Sequence, residues 1–304
     1  MTKFKTSLLA STSVVALAAA AMLTTQPAMA GTASSQATAA VNDTVVGCAA
    51  TGATVTTTGG QNTYAVNCTD LFNHQAVKTT ADAYAPVMDT VIKVSNSQSL
   101  FVAASEVTGL YTQTTTKTKT GGGTSKATAE GGVFERVVAC PYTGTSNTAP
   151  LGSCINSGGG LVGGSEIAYP GADCQGGTPG KTASTALLGC ANGGGVVLDQ
   201  RIQTLTTSIS DCIVNVKTSG GNTLTGTCSF TETIGLTLNT TSVHSVNYIL
   251  PDVGVGSWVV EVEAAVNANA IVSGGTGTTA VGGAAYGLGS MTVNSVRLVH
   301  GFSF

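Results

Sequence analysis

Charge is scarce in this chain. Only 9% of its 304 residues are Asp, Glu, Lys or Arg, and the formal net charge at pH 7 is −3. A sparse, slightly acidic surface attracts neither nucleic acid nor an anionic membrane, so neither is expected as a partner. Aromatic residues are equally thin at 5%, with a single tryptophan, which supplies little for the aromatic girdles of a membrane barrel. Beyond residue 30 no run reaches the ~18 apolar residues of a membrane helix, and the mature chain should have no such span. There is no G-x-S-x-G, no H-E-x-x-H and no C-x-x-C, so the commonest motif-bearing hydrolases and zinc sites find no support.

What the chain does contain is glycine (40 residues) together with abundant Thr, Ser, Ala and Val. Low charge combined with many β-branched residues suits short turns and many strands, whereas disorder needs high net charge and few such residues. Residues 242–265, SVHSVNYILPDVGVGSWVVEVEAA, carry the clearest pattern. Trp258, Val260, Val262 and Ala264 recur at period two, interleaved with Val259, Glu261, Glu263 and Ala265, as on the two faces of a strand. Val246, Tyr248 and Leu250 share a face before Pro251, Gly254 and Gly256 turn the chain. The stretch reads as a hairpin, with Trp258 anchoring a core and both glutamates on a solvated face.

The first 30 residues read as a secretory leader: Lys3 and Lys5, then an apolar run from Leu8 to Leu23, then a cleavage site ending Ala28-Met29-Ala30. The mature chain is therefore expected outside the cytoplasm: extracellular, at the cell surface or in a periplasm. Eight cysteines follow, Cys48, Cys68, Cys140, Cys154, Cys174, Cys190, Cys212 and Cys228. An even count in an exported chain reads as disulfides. Cys212 and Cys228 lie almost equidistant from the turn at Ser219-Gly220-Gly221-Asn222, and Cys48 and Cys68 straddle Gly59-Gly60, so nearest-neighbour pairing is expected throughout.

Residues 31–89 read as a small-residue N-terminal arm (31–42) and a disulfide hairpin made by 44–48 and 63–68. Residues 70–85 then read as loop with one helical turn. A sandwich domain follows over 90–304, with strands at 91–94, 100–107, 110–119, 127–140, 196–205, 234–238 and 290–304 and hairpins at 110–140 and 211–229. Residues 141–195 are Gly-rich and hold four of the cysteines, so they read as an insertion into that domain, because an unbraced loop of this length is improbable in a compact fold. The fold class expected is all-β: an antiparallel sandwich of jelly-roll or Ig-like type.

The runs LFVAASEVTGLYTQTTTKTKTGGGTSKATAEGGVFERV, RIQTL, SVHSVNYILPDVGVGSWVVEVEAAV and GSMTVNSVRLV resemble, in that order, an uncharacterised group of secreted prokaryotic β-sandwich proteins. The resemblance covers about 90–139 and 196–299. Members of the group read G-x-H-T-V-x-V where this chain has Gly256-Ser-Trp-Val-Val-Glu-Val262. The resemblance implies one interrupted sandwich and no catalytic residues.

Other candidates are weaker. Cys174-Gln-Gly-Gly-Thr-Pro-Gly-Lys-Thr182 misses the P-loop pattern at Gln175. Asp252 with Glu261 and Glu263 could form a glycosidase-like carboxylate pair. Calcium at Asp82, Asp89 or Asp173 has no motif behind it, and His74, His244 and His300 are not spaced as ligands of one site. His244 reads as a strand residue at the sheet surface. No catalytic residue, metal or cofactor is expected. The function expected is that of a secreted structural or adhesive protein, self-associating or bound to a surface or matrix glycan. The alternatives are a carbohydrate-binding or carbohydrate-active sandwich with Trp258, Tyr248 or Tyr286 exposed, an outer-membrane barrel ending in the alternation from Val296 to Phe304, and a fibre subunit exchanging the 31–47 segment or its last strand.

Overall fold

A computed structural model describes residues 37–43, 46–57, 59–72, 77–78, 83–118, 123–174, 189–209, 212–221, 223–228 and 232–297; for 77–78, 209, 212–217 and 224–228 it describes the backbone only. The leader, the P-loop-like run after Cys174, His74, His300, Asp82 and the strand expected beyond residue 297 lie outside the described residues. No helix among the described residues is long and apolar enough to cross a membrane.

Strands β1 (Ala37–Asn42), β2 (Gly47–Val55), β3 (Gln61–Ala65), β4 (Val77–Lys78), β6 (Gln98–Lys117), β13 (Thr233–Val253) and β15 (Thr279–Val296) form sheet A. Its path runs β13-β6-β15-β2-β3, with β1 also on β15 and β4 parallel to β2. Strands β5 (Ala85–Val94), β7 (Gly123–Pro141), β8 (Glu166–Ile167), β9 (Cys190–Ala191), β10 (Gly195–Ile209) and β14 (Gly256–Ser273) form sheet B, ordered β5-β14-β7-β10-β9 with β8 on β7. The two antiparallel sheets pack face to face as a β-sandwich. Strands β11 (Cys212–Lys217) and β12 (Thr223–Cys228) make a separate hairpin, and α1 (Cys68–Phe72) is the single helical turn expected after the first hairpin.

The long strands alternate between sheets as the chain proceeds: β5 in B, β6 in A, β7 in B, then β13 in A, β14 in B and β15 in A. This corrects two readings. Residues 242–265 are not a hairpin, because β13 pairs with β6 while β14 pairs with β5 and β7. Residues 251–256 are a corner between layers, with Asp252 at φ 51° and Gly256 at φ 149° supplying the bend. The reversal between β6 and β7 is likewise a crossing, not a hairpin. Pro and Gly reverse a chain, but they do not say whether the returning strand lies beside its predecessor or over it. Gly109 does not divide β6, which runs through as one strand of 20 residues. The N-terminal arm is also more ordered than expected, since Ala37–Asn42 pairs with Met291, Val293 and their neighbours on this chain's own β15.

The main core lies between the layers. Leu100, Val102 and Leu110 of β6, Tyr248 and Leu250 of β13, and Met291 and Val293 of β15 meet Ile92 of β5, Val133 and Val137 of β7, and Val260, Val262 and Val266 of β14. Trp258 belongs to this core, 9% exposed, with its indole N–H donating to the Gly254 carbonyl at 2.9 Å. A second apolar layer covers the other face of sheet B. Val138 and Val259 pack there with Tyr142, Leu161 and Ile167 of the insertion, and Phe134 and Ala265 with Tyr84 and Ala191. Around Phe134–Cys140 and Val259–Ala265 sheet B is thus buried on both faces, by sheet A inside and by described residues of the insertion outside, while farther along Ile202 and Ile271 leave its outer face exposed.

Candidate functional site

Alternation along β7 places Glu135 inward and Arg136 outward, so one short run feeds two buried polar clusters. Inside the sandwich, Glu106 of β6 approaches Glu135 of β7; each is 1% exposed. The Tyr248 hydroxyl donates to Glu135 Oε1 at 2.7 Å. Neither Glu106 oxygen has a hydrogen-bond partner among the described residues. Burial holds the Glu106 carboxyl well above the usual range, and the neighbouring Glu135 raises it further. Burial pushes Glu135 up to about 7, with the Tyr248 hydrogen bond pulling the other way. Tyr286 is raised by burial and then by the Glu106 charge. Burial thus favours the neutral form of Glu106, and Glu135 is poised between forms near pH 7.

The second cluster lies under the insertion. Glu261 and Glu263 of β14 are both fully buried, which corrects the expectation of a solvated glutamate face. Glu261 Oε2 accepts from the Gly152 amide at 2.9 Å and the carboxyl also takes a backbone hydrogen bond from Cys154. Burial and then the Glu263 charge push Glu261 up to about 8. Arg136 Nε donates to Glu263 Oε2 at 2.6 Å, and Nη1 donates to the Gly193 carbonyl at 2.7 Å. The Arg136 guanidinium lies 4.3 Å from the centre of the Tyr84 ring, and the Tyr84 hydroxyl donates to the Asn192 carbonyl. Burial raises Glu263, against the pull of Arg136. One pair of carboxyls and one arginine thus tie both ends of the insertion to sheet B.

Disulfides do the same covalently. Cys140–Cys154 and Cys174–Cys190 close the insertion, and Cys48–Cys68 ties β2 to α1, all three as expected from spacing. Cys212 and Cys228 are Cα partners in the β11–β12 register; their side chains, and hence the fourth expected bond, lie outside the described residues.

A third polar region lies between β10 and the β6–β13 pair. Thr108 Oγ1 donates to Asp199 Oδ2 at 3.1 Å, and His244 Nε2 lies 3.4 Å from the same oxygen. Gln203 Nε2 donates to Thr114 Oγ1 at 2.7 Å, while its Oε1 accepts from Thr112 Oγ1 at 2.9 Å. His244 therefore turns inward to Asp199 instead of lying on the sheet surface. Sequence reasoning missed Glu106, Glu135 and Arg136 altogether. The available signal was a charged residue at an inward position of an otherwise apolar alternation, as with Glu135 between Val133 and Val137.

The three rings considered as a sugar platform are all buried: Trp258 at 9%, Tyr286 at 2% and Tyr248 at 0% exposure. Asp252 sits at the corner, apart from the cluster that holds Glu261 and Glu263. Its backbone N–H donates to Ser99 Oγ. Among the described residues no three His, Cys, Asp or Glu side chains are grouped to hold a metal ion. A hollow of about 410 Å³ opens where Gly287 and Leu288 bulge from β15, lined largely by apolar residues such as Val46, Phe72 and Val107. Chemically, the carboxyl clusters can hold and release protons and can brace the layers. Sealed as they are, they meet no substrate from solvent in this conformation.

No known protein family, curated protein or solved structure matches the chain.

Proposed function

We propose that this chain is an exported structural or adhesive protein that performs no catalysis, held at a surface or in an extracellular assembly. The observation that carries this reading is the double covering of sheet B around Phe134–Cys140 and Val259–Ala265. An insertion closed by two disulfides and fastened through Glu261 and Arg136 makes the molecule resistant to opening rather than open to a substrate. Disulfides persist outside the reducing cytoplasm, which agrees with the leader read in the sequence. Burial of Trp258, Tyr248 and Tyr286 removes the aromatic platform on which the carbohydrate-module reading depended. The exposed faces of the long strands carry Thr, Ser and Asn in place of charge, a surface suited to contact with neighbours in a lattice or coat.

Negative-stain microscopy of material purified from its native source tests the proposal, together with binding assays on cells, matrix and glycan arrays. Ordered assemblies or retention on a surface are expected. Monodisperse monomers at high concentration that bind none of these, or turnover of a glycan substrate, would overturn it.

A further inference from the structure

The N-terminal half of β13 is an edge that nothing in the described structure covers. β13 closes one end of sheet A and pairs along its other side with β6 from Thr233 to Val253. Farther along, Tyr169 of the insertion occupies the outer side: Ile249 N–H donates to the Tyr169 carbonyl and Tyr169 N–H to the Ile249 carbonyl, both at 2.9 Å. This bridge fixes which backbone groups face outward. Successive residues of a strand direct their N–H and C=O to opposite sides, so Ile249 and the other odd-numbered residues face the free edge. From Thr233 to Asn247 that edge meets no other strand among the described residues.

Edges of monomeric proteins are normally protected by charge, proline, a bulge or brevity. Three other edges here follow the rule. β5 carries Pro86, Asp89 and Lys93, β10 has a bulge between Val197 and Asp199 with Arg201 beyond it, and β3 is five residues long. β13 has none of these over its first half. No charged residue lies between Glu232 and Asp252, its one bulge lies beyond Leu250, and Ile234, Leu236, Leu238 and Val243 are exposed.

We propose that this edge pairs with the same edge of a second copy, antiparallel about a two-fold axis beside Leu236. Because the run is neutral, self-pairing sets no like charges opposite each other, and it offers nothing to a charged partner. In this register Leu236 faces Leu236 of the other copy and Ile234 faces its Leu238, so the apolar side chains meet on one face. The outward odd residues then fall in hydrogen-bonded pairs, Gly235 with Thr237 and Thr233 with Asn239. Leu236 occupies a non-hydrogen-bonded pair, where Cα atoms approach to about 4.5 Å. The result is a closed, isologous dimer with one continuous sheet across both copies. It rests on the structural reading above and names the unit from which such an assembly is built.

The full mature protein carrying Leu236→Cys tests this under mild oxidation, with Thr206→Cys on the exposed face of β10 as control. The separation expected at Leu236 suits a disulfide, so a cross-linked dimer should form with Leu236→Cys and not with Thr206→Cys. In parallel, Leu236→Lys should weaken dimerisation in sedimentation by about tenfold or more while leaving the circular dichroism and melting temperature of the monomer unchanged. No cross-link at Leu236, or an assembly indifferent to Leu236→Lys, overturns the pairing. A monomer that still binds a surface or matrix also overturns the pairing while leaving the structural role standing. A monomer that binds nothing removes both.

Discussion

Glu261 Oε2 accepts the Gly152 amide at 2.9 Å across 109 residues of sequence, and this bond joins the insertion to the middle of sheet B. Removing the acceptor leaves buried backbone N–H groups at Gly152 and Cys154 without it, which costs about 1–3 kcal/mol. Glu261→Ala should lower the urea midpoint accordingly and speed amide exchange at Gly152 and Cys154 before any other part of sheet B. Glu261→Gln keeps an acceptor and should lose much less. Equal losses in the two variants would show that the bond does not hold the insertion.

Stability should fall as pH rises from acid to mild alkali, the reverse of most carboxylate behaviour. In the folded chain Glu135 titrates at about 7 and Glu261 at about 8, against 4.5 when exposed, and Glu106 and Glu263 are raised as well. Between about pH 4.5 and 8 the native state therefore holds protons that the unfolded chain has released. The derivative of unfolding free energy with pH is negative across that window. The stabilisation is complete below the unfolded value and is lost through the folded ones, with an amplitude on the order of a few kcal/mol. Asp89 and Arg136 face the outer cluster, and Tyr84, Tyr248 and Tyr286 stay protonated throughout, so the carboxyls carry the effect. Urea melts near pH 5 and near pH 9 should show it, and Glu106→Gln should flatten the slope.

Trp258 is the only tryptophan and lies in the main core with its N–H satisfied. Trp258→Ala should cost about 3–5 kcal/mol, and native fluorescence should be blue-shifted relative to the unfolded chain. A loss below about 1 kcal/mol would place the ring outside the core.

Period-two alternation located parts of the long strands but not β1 or the first half of β15, and cysteine spacing was enough to pair Cys48, Cys140 and Cys174 with their neighbours. Pairing of strands was not legible in the same way. The residues of the corner at 251–256 are those of a hairpin turn, and only contacts far along the chain decide that β14 lies over β13's sheet instead of beside β13. The glutamates were misread for a related reason. A face bearing Glu261 and Glu263 looks solvated if each sheet has one dry side, but the insertion, through residues such as Tyr142, Leu161 and Ile167, dries the other side around them too. Val259 and Ala265, which bracket the two glutamates on that face, were the local sign of it. Glu106 and Glu135 gave even less, because each becomes part of a pair only when the two sheets close.

At Gly282 and Gly131 the backbones of the two sheets approach closely because side chains are absent, and this sets a last expectation. Gly282 of β15 lies beside Thr112 of β6 and Thr51 of β2. A Cβ added there would strike the carbonyl oxygens of Glu130 in β7 and Asn269 in β14, and one added at Gly131 would strike the Gly283 carbonyl. Both obstacles are backbone and cannot rotate aside, so Gly282→Ala must push β15 away from sheet B. Overpacking of this kind costs about 1–3 kcal/mol, reduced only partly by the ~0.4–1 kcal/mol that losing a glycine removes from the unfolded chain's freedom. Gly163, which has open space around it, provides the comparison: Gly163→Ala should be neutral or slightly stabilising. Urea midpoints of the two variants measure the difference directly. If Gly282→Ala were as stable as the parent chain, the layers would have to be farther apart at this point than backbone contact, and the tight closure above Leu110 would be lost with it.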